Sequence, residues 1–121
     1  MNQRVIITGG SGYIGRKLVS ALKDDYEIVV LTRTPPRHAT PGAQVVGWDG
    51  KTAQGWGSLA DGALAIINLA GENIGARLWT RSRKEAILNS RLGAGRAVVE
   101  AVRAAAVKPR VLIQSSAIGY Y

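Results

Sequence analysis

The residues best suited to chemistry lie in one short stretch, TGGSGYIGRKL, from Thr8 to Leu18. Four glycines, Gly9, Gly10, Gly12 and Gly15, fall within seven residues, and a helical pattern carrying Arg16 and Lys17 follows at once. A cluster of this kind either turns the chain or holds a phosphate. Two registers fit a phosphate fingerprint, Gly10-x-Gly12-x-x-Gly15 and Gly9-x-x-Gly12-x-x-Gly15. In both, the first glycine permits a tight turn out of a strand. Gly12 lets the backbone approach a pyrophosphate, and Gly15 lets the helix pack closely on the strand. The helix N-terminus then offers free N–H groups and positive potential to the phosphates. On this reading Gly9, Gly10, Ser11, Gly12, Tyr13, Ile14 and Gly15 form the pyrophosphate cradle. The motif alone is weak; its place between a strand and a helix gives it weight.

That place follows from the hydrophobic pattern. RVIIT (Arg4 to Thr8) is a short apolar run of the buried-strand type. Tyr13 to Leu22 puts Ile14, Leu18, Ala21 and Leu22 at helical spacing. EIVVLT (Glu27 to Thr32) is a second buried strand. The segment Arg33 to Gly42 holds three prolines and reads as loop. Gln44 to Trp48 is a third strand, with a turn at Asp49-Gly50, and Lys51 to Ser58 is loop or a short helix. Ala63 to Ala70 is a fourth strand.

Thr80 is placed to cap a long helix running to about Val107, with Leu88, Leu92, Gly95, Val99, Val102 and Ala106 as its apolar face. Gly93 and Gly95 inside it suggest close packing on a strand or helix. Pro109 stops the helix, and Arg110 to Ser116 is a fifth strand. Alternation of this kind predicts an α/β fold, a doubly wound parallel sheet with strand order 3-2-1-4-5. Residues 1–121 then form one dinucleotide-binding domain that stops just past its fifth strand, as an N-terminal piece of a longer protein would.

The end of the second strand bears on which dinucleotide is bound. Folds that prefer NAD place an acid there to bond the ribose hydroxyls. Here the strand ends Leu31-Thr32-Arg33, and Arg33 offers a planar fork to a 2′-phosphate. The expected cofactor is NADP(H) in preference to NADH, held at this end by Thr32 and Arg33; the alternative is a surface arginine on a basic loop. Asp49 fits either an acceptor for the adenine amine or a turn aspartate. Leu69, Ala70 and Gly71 follow the fourth strand, where small residues let the backbone lie along the middle of the cofactor.

Composition narrows the remaining classes. The chain has no cysteine and one histidine, His38, which excludes disulfides and argues against a zinc site. This pattern suits a cytoplasmic protein. No apolar run approaches the roughly 20 residues of a membrane span, and the N-terminal run is too short for a signal peptide. Net charge is +8, and nine of the 16 basic residues lie between residues 77 and 110. A solvated helix face explains this best, an anionic small molecule next. Nucleic acid comes last, because Trp79 is the lone aromatic there. The expected partner is a small-molecule substrate, with no nucleic acid and no membrane, and a homodimer is left open.

TGGSGYIG, LTR, INLAGE and SSAIGYY, in this order, resemble the extended and atypical short-chain dehydrogenase/reductase superfamily. WDG, NLAGENI and WTRSRKEAI narrow the resemblance to an atypical group of epimerase-family, NAD-dependent epimerase/dehydratase-like proteins. Some bacterial members of that group carry a cell-division-inhibitor label. The resemblance covers essentially the whole chain. It implies an NADP-dependent reductase or epimerase-like enzyme working by hydride transfer on a hydroxyl- or carbonyl-bearing substrate. In the superfamily a tyrosine acts as acid/base beside a lysine, and that pair would fall beyond Tyr121. The position that orients the substrate oxygen falls on Ala117, and that of a helix asparagine on Arg91. Ser116, Tyr121 and Arg91 are left as the candidate catalytic residues. These departures keep open a second reading, a non-catalytic NADP-binding regulatory or redox-sensing module.

Overall fold

The computed structural model describes residues 3–9, 13–33, 42–69 and 81–114, of which 13–14, 81–91 and 114 by backbone alone. The elements are β1 (Arg4–Thr8), α1 (Tyr13–Leu22), β2 (Glu27–Thr32), β3 (Ala43–Gly47), a 3₁₀ turn (Gly57–Ala60), β4 (Ala65–Asn68), α2 (Arg81–Ala104) and β5 (Val111–Gln114). The strands form one five-stranded sheet in the order β3-β2-β1-β4-β5, and every pairing is parallel. The expected strand order is therefore the one observed. β1, α1 and β2 have the bounds expected of them, whereas α2 ends at Ala104 rather than near Val107. The Lys108 ammonium caps this end, donating to the oxygens of Val102 and Arg103 in the last turn and of Ala105 just past it at 2.9, 3.3 and 3.1 Å.

The strands are apolar on both faces because both faces are covered. Successive side chains of a strand point to opposite sides, so each strand divides its apolar residues between two cores. Val5, Ile7, Ile28, Val30, Ala65 and Ile67 join Val19 of α1 on one side. Ile6, Val29, Leu31 and Ile66 join Ala94, Ala97, Val98 and Ala101 of α2 on the other. Each fully buried Val, Leu or Ile among them stabilises the fold by about 1.5–3 kcal/mol before the entropy of ordering it is counted.

The face that α2 turns to the sheet differs from the expected one. Ala94, Ala97, Val98 and Ala101 are buried, and of the expected face Val102 packs against their core, whereas Leu92 and Val99 are 46% and 45% exposed. Leu92 and Ala94 stand two residues apart, about 200° round a helix. A stripe of alanines lets the helix axis come close to the sheet, which bulky residues would prevent. β5 also differs from a fully buried strand: Val111, Leu112 and Ile113 are about half exposed at the sheet edge. No helix among the described residues is long and apolar enough to cross a membrane.

The return from β3 to β4 crosses the sheet without an α-helix. The 3₁₀ turn and two tryptophans fill that layer instead. Trp56 is fully buried, meets Trp48 edge to face at 5.8 Å between centroids, and donates its indole N–H to the Thr52 carbonyl at 3.0 Å. Among the described residues, Trp56→Ala removes the largest fully buried side chain. Its expected cost is about 3–5 kcal/mol, read as a lower midpoint in denaturant unfolding.

Candidate functional site

All five strands run parallel, so their carboxyl ends share one edge. From β1 the chain moves outward to β2 and β3, then returns to β4 on the other side of β1. The reversal opens a crevice between the ends of β1 and β4, where open α/β sheets bind ligands. Thr8 ends β1, and its register partners are Leu31 of β2 and Asn68 of β4.

The chain leaves β1 in a single residue. Gly9 has φ 71°, a left-handed conformation that side chains with a Cβ rarely adopt, and its N–H donates to the Leu31 carbonyl at 3.2 Å. Gly9 thus performs the turn that the fingerprint requires of its first glycine, in keeping with the register Gly9-x-x-Gly12-x-x-Gly15. α1 begins at Tyr13, and Gly15 in its first turn is buried. No acidic residue occupies that first turn, so the positive end of the helix dipole is left uncancelled there. Gly10, Ser11 and Gly12 lie outside the described residues, and Tyr13 and Ile14 are described by backbone alone.

A buried polar lock joins β1 to β4 beneath the crevice. The Thr8 hydroxyl donates to Asn68 Oδ1 at 2.5 Å and accepts from the Leu69 N–H at 3.1 Å. Thr8 and Asn68 are buried. The lock fixes the strand ends from which Gly9 and the segment Leu69 to Gly71 depart; Ala70 and Gly71 themselves lie outside the described residues. Neither Thr8 nor Asn68 was among the expected site residues. The available signal is a polar residue closing an otherwise apolar strand, VIIT and AIIN alike.

The ends of β2 and β3 bring the other site residues together. Thr32 is buried and Arg33 is exposed. The Trp48 N–H donates to the Thr32 carbonyl at 3.2 Å, so the turn after β3 is zipped against the end of β2. Asp49 opens that turn. Its Oδ1 accepts from the N–H groups of Lys51 and Thr52 at 2.8 and 2.7 Å, and its Oδ2 accepts from the Thr52 hydroxyl at 2.7 Å. These bonds, that of the Lys51 N–H first, hold its carboxyl below the usual carboxylate range. Gly50 follows with φ 75°. The stem of Arg33 lies over it: a Cβ on Gly50 would stand 3.0 Å from Arg33 Cδ. Gly9, Gly15, Thr32, Arg33, Asp49 and Leu69 are therefore ranged along one side of the sheet. Arg91 lies in α2 and is described by backbone alone, and Ser116 and Tyr121 lie outside the described residues.

The lock makes a direct prediction. Thr8→Val keeps the shape but removes the hydroxyl that donates to the buried Asn68 oxygen and shares the Leu69 N–H with the Thr8 carbonyl. The expected loss is about 1–3 kcal/mol of unfolding free energy, most of it restored by Thr8→Ser.

Residues 5–121 match the model of the NAD dependent epimerase/dehydratase family. An epimerase family protein of Staphylococcus haemolyticus is 36% identical over 120 residues, covering 98% of this chain and 39% of that protein. One from Staphylococcus saprophyticus is 38% identical over 117 residues, covering 96% of this chain and 38% of that protein. The chain thus spans about two-fifths of the length of these curated relatives. Among solved structures, uronate dehydrogenase from Agrobacterium tumefaciens superposes with a TM-score of 0.72 at 26% identity, over 98% of this chain and 43% of that one. A mutant of that enzyme has been solved in complex with NAD. Glucuronic acid dehydrogenase from Chromohalobacter salexigens superposes with a TM-score of 0.70 at 29% identity, over 100% of this chain and 44% of that one. Because the family match runs through the glycine turn, the end of β2 and the fifth strand alike, the chain belongs to the NAD dependent epimerase/dehydratase family.

Proposed function

We propose that this chain is the NADP(H)-binding part of a reductase or epimerase-like enzyme that acts by hydride transfer on a hydroxyl- or carbonyl-bearing small molecule. The dinucleotide lies along the carboxyl edge. Its pyrophosphate faces the Gly9 turn and the start of α1, and its middle follows the backbone from Leu69 toward Gly71. The described residues fit such a group. Gly9 turns the chain sharply at the end of β1, Gly15 is buried in the first turn of α1, and α1 presents an N-terminus without an acid. When bound, the nicotinamide supplies the hydride acceptor or donor; the chain supplies position and charge.

The observation that favours NADP over NAD is Arg33. The family description and one structural neighbour name NAD. In this chain, however, β2 ends without the acid that grips the ribose diol, and an exposed arginine stands in its place. Asp49, the acid at the end of β3, already accepts three hydrogen bonds within its own turn. A guanidinium can bind a 2′-phosphate through two parallel charge-assisted bonds.

Titration of the whole protein with NADPH and NADH tests this reading. NADPH is expected to bind more tightly. Arg33→Ala should weaken NADPH by about tenfold to a hundredfold, the equivalent of one charge-assisted hydrogen bond, and barely change NADH. Equal affinities, or a preference for NADH that survives Arg33→Ala, would overturn the assignment.

A further inference from the structure

α2 reaches the cofactor end of the sheet at one glycine. A Cβ on Gly93 would stand 2.9 Å from the Gly50 carbonyl oxygen and 3.5 Å from Lys51 Cγ. The first distance is shorter than any real Cβ contact, and its partner is backbone rather than a movable side-chain tip. The helix and the turn therefore touch only because residue 93 has no side chain. Sequence spacing suggested that this glycine would pack on a strand or helix; its neighbour is the turn from Gly50 to Lys51.

The turn is held from its other sides as well. Trp48 pins its start, through the N–H bond to Thr32 and the edge-to-face contact with Trp56. Asp49 closes it through the N–H groups of Lys51 and Thr52. On its outer side, Gly50 carries the stem of Arg33, with Cδ, Cγ and Nε at 3.0, 3.5 and 3.8 Å from where a Cβ would be. Three layers thus stack without a side chain at either joint: α2 at Gly93, the turn at Gly50, and the arginine stem.

We infer that Gly93 and Gly50 are positioning residues that set the height of the Arg33 guanidinium above the sheet edge. Through it they set the selectivity of the site for a 2′-phosphorylated dinucleotide. The inference rests on the NADP reading above. A side chain at residue 93 pushes the turn outward, and the turn carries the arginine stem with it. A side chain at residue 50 displaces the stem directly. A bidentate contact depends on the direction of both N–H bonds, so a shift of a few tenths of an ångström weakens it. The ribose diol of NADH makes no such contact and is indifferent to the shift.

The test measures NADPH and NADH affinities of the whole protein as wild type, Gly93→Ala and Gly50→Asn, each also in the Arg33→Ala background. Asparagine tolerates a positive φ, so Gly50→Asn keeps the turn and makes no demand on α2. It decides the matter if Gly93→Ala fails to fold. Each variant is expected to weaken NADPH by about threefold to tenfold, to leave NADH within about twofold, and to have no further effect once Arg33 is absent. Unchanged NADPH affinity in a folded variant overturns the inference. So does a parallel loss of both cofactors, because a merely structural glycine would damage the site without discriminating. If wild type and Arg33→Ala bind NADPH equally, the NADP reading has failed and this inference falls with it. If Arg33→Ala weakens NADPH while both glycine variants match wild type, only the positioning role is wrong.

Discussion

The left-handed backbone at Gly9 is the constraint on which the site depends. Thr8 is buried and paired on both sides, to β2 and to β4. The chain turns in the very next residue, and φ 71° is open to glycine at little cost. A residue with a Cβ would raise that conformation by about 1–2 kcal/mol. The turn brings the chain to the start of α1 within a few residues and lays that helix across one face of the sheet. The acid-free N-terminus of α1 and the closure of half the core therefore come from the same event.

Two further devices hold the strand ends around this turn, and they differ in kind. At the crevice, the Thr8 hydroxyl bridges Asn68 and the Leu69 N–H, so the exits of β1 and β4 keep a fixed spacing. This is a neutral hydrogen-bonded lock in a dry place, where a lost partner is expensive. At the end of β2 the fixing is steric. Trp48, the Asp49 turn and Gly50 form a shelf beneath an exposed arginine, and α2 supports the shelf at Gly93. In the proposed binding mode, the neutral lock sets where the middle of a dinucleotide runs, and the shelf sets where a positive charge meets its far end.

Much of this was legible in the sequence. The bounds of β1, α1 and β2 could be read because VIIT and EIVVLT are uninterrupted apolar runs and the glycine cluster breaks the pattern cleanly. The strand order followed from alternation and crossover handedness. The face of α2 was not legible: bulky Leu92 and Val99 dominate any count of apolar positions, while the helix turns alanines to the sheet. Size carried the sequence signal, but close approach decided the packing. The crossover from β3 to β4 was obscure because a 3₁₀ turn and Trp56 replace the usual helix, leaving little periodicity to read. Thr8 and Asn68 were hidden by their ordinariness, and the partner of Gly93 by its distance along the chain.

The central claim is that a dinucleotide lies along the carboxyl ends of β1, β2 and β4. Hydrogen–deuterium exchange of the whole protein, with and without saturating NADPH, addresses it without any substitution. New protection is expected in peptides covering residues 9–15, at the end of β2 through Arg33, in the turn from Asp49 to Thr52, and in the segment following Asn68. Protection confined to the outer face of α2 or to the β5 edge, with residues 9–15 unchanged, would contradict it.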